Sequence, residues 1–223
     1  LKFCVLAGGR LYPRGRAELD LRERRISAGT YDKLQKALPD TDILWNVPFQ
    51  GKLLPSNITE LTVTALTAED AQTLLYFKSL QVLNAEGCTD YENLLTYRLQ
   101  SPGCRVRYRV TVGGSTYDSD AKMLMVTEFT EDDAAKIAYL PDLEIVDGSG
   151  CTDYGNLAAL QAAYPGLSVR YAVTLGDSEL EADTVEATVT GAESGQLIQA
   201  LAGLPNLKNL TLIDPAADGS TLQ

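Results

Sequence analysis

The chain contains no histidine. That absence removes Ser-His-Asp and Cys-His nucleophilic catalysis, and with them every histidine-ligated metal site. Cysteine is scarce as well: Cys4, Cys88, Cys104 and Cys151 are all there is, and no two form a Cys-x-x-Cys pair. Neither a thiolate zinc site nor a thioredoxin-like motif is therefore expected. Basic residues are in the minority, 19 Lys and Arg against 30 Asp and Glu, for a net charge of −11. Such a balance argues against nucleic acid, whose phosphates need a basic face, and against anionic membrane surfaces. No apolar run approaches the roughly 18 residues of a transmembrane helix. No signal-peptide pattern opens the chain. It begins at Leu1, and Lys2-Phe3-Cys4-Val5-Leu6 already reads as a strand, so a trimmed or mature fragment is expected and secretion stays open.

What is present is repetition. Gly87-Cys88-Thr89-Asp90-Tyr91-Glu92-Asn93-Leu94 returns 63 residues later as Gly150-Cys151-Thr152-Asp153-Tyr154-Gly155-Asn156-Leu157. Phe77-Lys78-Ser79-Leu80 upstream of the first copy matches Leu140-Pro141-Asp142-Leu143 and, again, Leu204-Pro205-Asn206-Leu207. Trp45, Tyr108 and Tyr171 fall in register, as do Pro39, Pro102 and Pro165, each just after a predicted helix. The first copy is shorter: Gly9 to Gly51 is 42 residues, against 63 from Gly51 to Gly114. Periods of this kind mark stacked repeat architectures, which usually offer a surface rather than run chemistry.

Each 63-residue unit reads as three coils. A strand at Leu61-Thr62-Val63-Thr64 precedes a helix from about Ala68 to Phe77, with Thr67-Ala68-Glu69-Asp70 as its cap. Thr130-Glu131-Asp132-Asp133 repeats that cap. A second strand near Leu80 to Ala85 leads to a helix from Tyr91 to Leu99, with Thr89-Asp90-Tyr91-Glu92 fitting a capping box. The third strand, Val106 to Val112, runs into Gly113-Gly114. That pair, and Gly176-Asp177 one period on, suit tight hairpin turns, with a short protruding hairpin slightly favoured over a chain that leaves the sheet and returns over the convex side.

The apolar spacing (L/F)-x-x-L-x-x-(L/V)-x-(L/A/G), continued by x-x-C in two copies, resembles the leucine-rich repeat signature. The irregular units, without flanking cysteine caps, are most similar to bacterial surface or secreted proteins of that family. The resemblance implies an α/β fold: a right-handed β/α solenoid with one parallel sheet of about 11 strands, and helices and loops on its convex side. It implies a single solenoid domain over residues 1–214 and a polar tail at 215–223. Cys88 and Cys151 would sit at the ladder position, turned inward to cap the backbone of a neighbouring coil. Cys4 and Cys104 read as small core residues, with a Cys88–Cys104 bridge left open.

Alternation along the strands turns Leu61 and Val63 inward and puts Thr62, Thr64, Asn84, Glu86, Arg107, Arg109, Met125, Thr127 and Asp147 on the concave strand face. Thr111, Ser149, Arg170, Thr174, Glu186 and Thr188 join them there. Arg105, Arg107 and Arg109 make a basic stripe near Glu86 and Glu128; cross-strand ion pairing is the simpler reading, an acidic-peptide site the sharper one. Asp118-Ser119-Asp120 and Glu131-Asp132-Asp133 read as loop and cap acids rather than a calcium loop. Asn57-Ile58-Thr59 and Asn209-Leu210-Thr211 are glycosylation sequons if the source is eukaryotic. Tyr91 and Tyr154 are expected to pack on the convex side.

The expected function is protein–protein recognition by a secreted or cell-surface protein, through the strand face and toward an unidentified protein partner. A structural spacer in a larger surface protein is the alternative, and a glycan-binding adhesin a third. No enzyme, cofactor or metal is expected.

Overall fold

The computed structural model describes residues 3–213; the tail expected at 215–223 lies outside the described residues. The chain forms two compact units, Leu1–Tyr108 and Arg109–Gln223.

The first unit opens with a hairpin of β1 (Cys4–Ala7) and β2 (Arg10–Pro13). β3 (Glu18–Asp20), α1 (Ala28–Ala37) and β4 (Asp42–Leu44) come next, β3 pairing with β4 in parallel. A second hairpin joins β5 (Asn46–Phe49) to β6 (Lys52–Pro55). Then come β7 (Glu60–Thr62), α2 (Ala68–Leu74), β8 (Val82–Asn84), α3 (Tyr91–Gln100) and β9 (Arg105–Arg107), whose strands form a parallel sheet in the order β7-β8-β9. In the second unit a hairpin of β10 (Arg109–Val112) and β11 (Ser115–Asp118) leads into β12 (Met123–Met125), α4 (Glu131–Lys136), β13 (Ile145–Asp147), α5 (Tyr154–Ala163) and β14 (Ser168–Arg170). Here too the three strands, β12-β13-β14, are parallel. The hairpin of β15 (Ala172–Leu175) and β16 (Ser178–Glu181) precedes β17 (Glu186–Thr190), α6 (Ser194–Ala202) and β18 (Asn209–Ile213), with β17 parallel to β18.

This arrangement corrects the expected solenoid. Among the described residues the strands do not share one parallel sheet: they divide among eight sheets of two or three strands, four parallel and four antiparallel. The physical reason lies at the C-terminal end of three of the parallel groups, those ending in β4, β9 and β14. The strand expected from Val106 to Val112 is cut at Tyr108, and Trp45 and Tyr171 mark the same break in their copies. These rings are buried. Beyond each, the chain spends its ladder on an antiparallel neighbour and does not continue the parallel strand. Gly113 and Gly114 make the turn of β10 and β11 with φ of 54° and 71°. A Cβ on Gly113 would lie 2.5 Å from the Glu128 carbonyl oxygen, so backbone approach as well as φ demands glycine there.

Side chains close the remaining edges of the β12-β13-β14 sheet. At β12 the Tyr117 hydroxyl donates to the Met125 carbonyl and accepts from the Met125 amide at 3.1 Å. At β14 the Gln161 amide stands in for a strand, donating to the Leu167 carbonyl at 2.9 Å and accepting from the Val169 amide at 3.0 Å. An edge so occupied cannot template another strand.

The repeated octapeptide has a direct structural role. In the first unit Asp90 accepts the Leu66 amide at 2.8 Å, and Asn93 donates to the Leu66 carbonyl at 2.6 Å. In the second, Asp153 accepts the Phe129 amide at 3.0 Å and Asn156 donates to the Phe129 carbonyl at 2.8 Å. One buried residue per unit thus has both backbone groups satisfied by a helix start one coil further on. The cysteine also stands behind the carboxylate: the Cys88 thiol takes a bond from the Leu66 backbone, the cap expected of it, and donates to Asp90 at 3.4 Å, and the Cys151 thiol donates to Asp153 at 3.7 Å. Because Asp90 is committed to Leu66, the box expected at Thr89–Glu92 does not form, and α3 starts without a side-chain cap. The boxes of Thr67 with Asp70 and Thr130 with Asp133 form as expected. Leu83 and Val63 are buried, as the alternation required, while Leu61 is half-buried.

Tyr117→Phe and Gln161→Ala should each lower stability by about 0.5–1.5 kcal/mol, since each removes side-chain bonds to backbone groups at a sheet edge; urea denaturation reads this, and unchanged midpoints would contradict edge closure. Burial alone would raise the Asp133 carboxyl, but the Lys136 ammonium, the Thr130 amide and hydroxyl and the Gly113 amide more than offset it and hold it below its ordinary value. Its contribution is therefore present above the unfolded carboxylate value of about 4 and lost as pH falls through the lower folded one. Asp133→Asn should be less stable than the parent at pH 7, and the gap should close in acid.

Candidate functional site

The outer faces of the two three-stranded sheets carry six of the expected surface residues, in rows set by register. In the first unit Thr62, Asn84 and Arg107 are Cα partners across β7, β8 and β9. In the second the equivalent row is Met125, Asp147 and Arg170 across β12, β13 and β14. Thr64, Glu86 and Thr127 are exposed but lie in the turns beyond their strands. Arg109 starts β10 and bonds Asp118 directly across the hairpin at 3.0 Å, an exposed pair worth about 0–1 kcal/mol. This is the ion-pairing reading of the arginine stripe, with a partner other than Glu86 or Glu128.

Asn84 and Asp147 divide their polar capacity. Asn84 accepts the Glu86 amide at 3.2 Å. Asp147 accepts the Ser149 hydroxyl at 2.6 Å and the Ser149 amide at 3.0 Å. Those bonds, with the positive charge of Arg170 nearby, hold the Asp147 carboxyl below its ordinary value.

One strand breaks the polar pattern of this face. β12 buries Leu124 completely and leaves Met123 40% and Met125 67% exposed. These are the two methionines of the chain. The same repeat positions hold Glu60 and Thr62 in β7 and Glu186 and Thr188 in β17. Sequence reasoning placed Met125 on the face but missed Met123, although the 63-residue register sets it beside Glu60 and Glu186.

A second departure lies in the first unit, between α1 and α2, and was not anticipated. Tyr31 stacks on Trp45 with ring centroids 4.8 Å apart, and Tyr76 meets both edge-on at 5.4 Å. Tyr31 occupies the position of Leu94 and Leu157, and Trp45 that of Tyr108 and Tyr171, so register again carried the signal. The exchange at Trp45 has a cost. Tyr171 donates its hydroxyl to the Gly203 carbonyl at 2.9 Å, whereas the buried Trp45 indole N–H has no partner among the described residues. Above the rings is a hollow of about 690 Å³ lined by Tyr31, Asp32, Gln35, Glu69, Tyr76 and Lys78, among others. The Tyr76 hydroxyl donates to Asp32 at 3.1 Å. Gln35 accepts both the Tyr31 hydroxyl at 3.0 Å and the Lys78 ammonium at 2.7 Å. That ammonium sits 5.6 Å from the centre of the Tyr31 ring.

The cysteines are unbonded, including Cys88 and Cys104. Burial pushes the Cys88, Cys104 and Cys151 thiols above their ordinary value. Tyr91 and Tyr154 pack against the in-register Tyr108 and Tyr171, at 6.0 and 6.4 Å. Glu131, Asp132 and Asp133 form the first turn of α4, and Asn209 bonds Glu186 at 2.8 Å. Among the described residues no group of three or more His, Cys, Asp and Glu side chains could hold a metal, and no helix is long and apolar enough to cross a membrane. Comparison with protein-family models, curated proteins and solved structures gave no match.

With three thiols buried and raised and Cys4 half-buried, native alkylation at pH 8 should modify Cys4 first. Cys88, Cys104 and Cys151 should react at least about tenfold more slowly until denaturant is added. Four thiols reacting at one rate would contradict this burial.

Proposed function

We propose that the chain is a protein–protein recognition module of a secreted or cell-surface protein, and that it binds through the outer strand face of its second unit. The observation that carries this reading is the exposure of Met123 and Met125, side by side on β12, where sister strands have Glu or Thr. Two exposed thioethers gain nothing in the free protein. In contact with a partner they supply polarizable, adaptable apolar area, of the kind used at binding surfaces. Asp147 and Arg170, in register with Met125, give that apolar centre a charged rim, the layout in which hot spots work. The likeness of the repeats to leucine-rich repeats supports the same class of function. The spacer alternative gives no reason for one strand to abandon the polar residues of its copies.

The test uses the protein's own sister residues, which keep the strand intact. The double variant Met123→Glu, Met125→Thr should fold like the parent and lose a partner captured by crosslinking near β12. Affinity for that partner should fall at least about tenfold, or about 1.4 kcal/mol. Arg107→Ser, in the other unit, should leave it unchanged. A partner bound equally well by the double variant would remove this face from the account.

A further inference from the structure

We infer that the hollow between α1 and α2 receives a cationic side chain, a lysine or arginine presented by a protein segment, and that Lys78 occupies the cation position until it arrives. The inference is independent of the strand face, since it concerns another unit and other residues.

The aromatic floor has the right form. Tyr31, itself only 3% exposed, and Tyr76 line the hollow with their rings at 89°, so the two make a corner, and the fully buried Trp45 stacks beneath Tyr31 at 19°. Ring faces carry negative potential and attract an ammonium or guanidinium within about 6 Å. The chain supplies its own demonstration, with the Lys78 ammonium over Tyr31 at 5.6 Å. Two carboxylates, Asp32 and Glu69, line the same hollow along with Lys36 and Lys78, and the Tyr76 hydroxyl donates to Asp32. Gln35 turns its amide oxygen to the Lys78 ammonium, an acceptor equally suited to an incoming one.

Lys78 is a replaceable occupant. It is exposed, held at the ammonium by one neutral acceptor and one ring, and borne on a flexible stem. The hollow, about 690 Å³ and open to solvent, has room for an incoming side chain once Lys78 has swung aside. The net charge of −11 favours approach of a basic partner. The sequence marks the site as well: the ring cluster exists because Tyr31 and Trp45 replace the Leu and Tyr of the other copies, and that replacement left the Trp45 indole N–H unpaired among the described residues. The copies show that packing needs neither a ring at the Tyr31 position nor an indole at the Trp45 position.

Trp45 is the one tryptophan of the chain and packs directly under the hollow, so intrinsic fluorescence reads the site without a label. The probe is Nα-acetyl-lysine methylamide at millimolar concentration and constant ionic strength. Its neutral control is the same compound acetylated on the side-chain amine. Saturable change with the cation and none with the control is expected. Lys78→Ala should bind about threefold or more tightly, because the internal competitor is gone, and Asp32→Asn should bind several-fold more weakly. Neither change removes a buried group, so both variants should fold. Equal response to the neutral control, a response linear in concentration, or weaker binding by Lys78→Ala would each overturn the inference.

Discussion

Each unit depends on one local constraint: a buried residue in a turn whose backbone is held by an aspartate and an asparagine from the next helix start. Leu66 and Phe129 are fully buried at points where the chain leaves a strand and has no ladder partner for its amide and carbonyl. Leaving a buried donor or acceptor empty costs about 1–3 kcal/mol, comparable to a large fraction of a small domain's net stability. Asp90 with Asn93, and Asp153 with Asn156, satisfy both groups at once. The spacing comes from helix geometry, since residues three apart on a helix start face the same side. The cysteine two residues earlier lends a weak thiol donor to the same carboxylate. Hence Cys-Thr-Asp-Tyr-x-Asn recurs as a block.

With successive coils fixed to each other by side chains, long backbone ladders are not required, and the strands stay short. Where an edge would remain open, a tyrosine hydroxyl or a glutamine amide takes the place of a strand. The hairpins do the same by folding the chain back on itself. The outcome is a set of small sheets, each complete, in place of one sheet that grows with every repeat.

Much of this was legible in the sequence, in proportion to how local the physics is. The Thr67 and Thr130 caps and the inward turn of Leu83 and Val63 derive from spacing alone. The turn at Gly113-Gly114 was one of two readings the sequence allowed, and the convex side on which Tyr91 and Tyr154 were expected to pack fell with the solenoid. The expectation of a continuous parallel sheet failed because it rested on counting strands without asking where each ladder ends. The in-register aromatics were visible, but that Tyr108 ends one strand and starts a hairpin is a tertiary fact. The capping role was assigned to cysteine alone, when the aspartate two residues later is the stronger acceptor and shares the Leu66 backbone with it. Both candidate surfaces were present as mismatches in the repeat alignment. Met123 beside Glu60, and Tyr31 beside Leu94, carry more functional information than the positions that match.

Matching positions hold the units together and mismatched ones are available to bind, so the central claim is that the repeated block acts on the backbone it touches. Native-state hydrogen exchange of individual amides tests it. The Leu66 and Phe129 amides should be protected although neither lies in a helix or strand. Asp90→Ala should release Leu66 to fast exchange while Phe129 stays protected, and Asp153→Ala should do the reverse. Fast exchange at both amides in the parent protein, or protection at Leu66 that survives Asp90→Ala, would contradict the account.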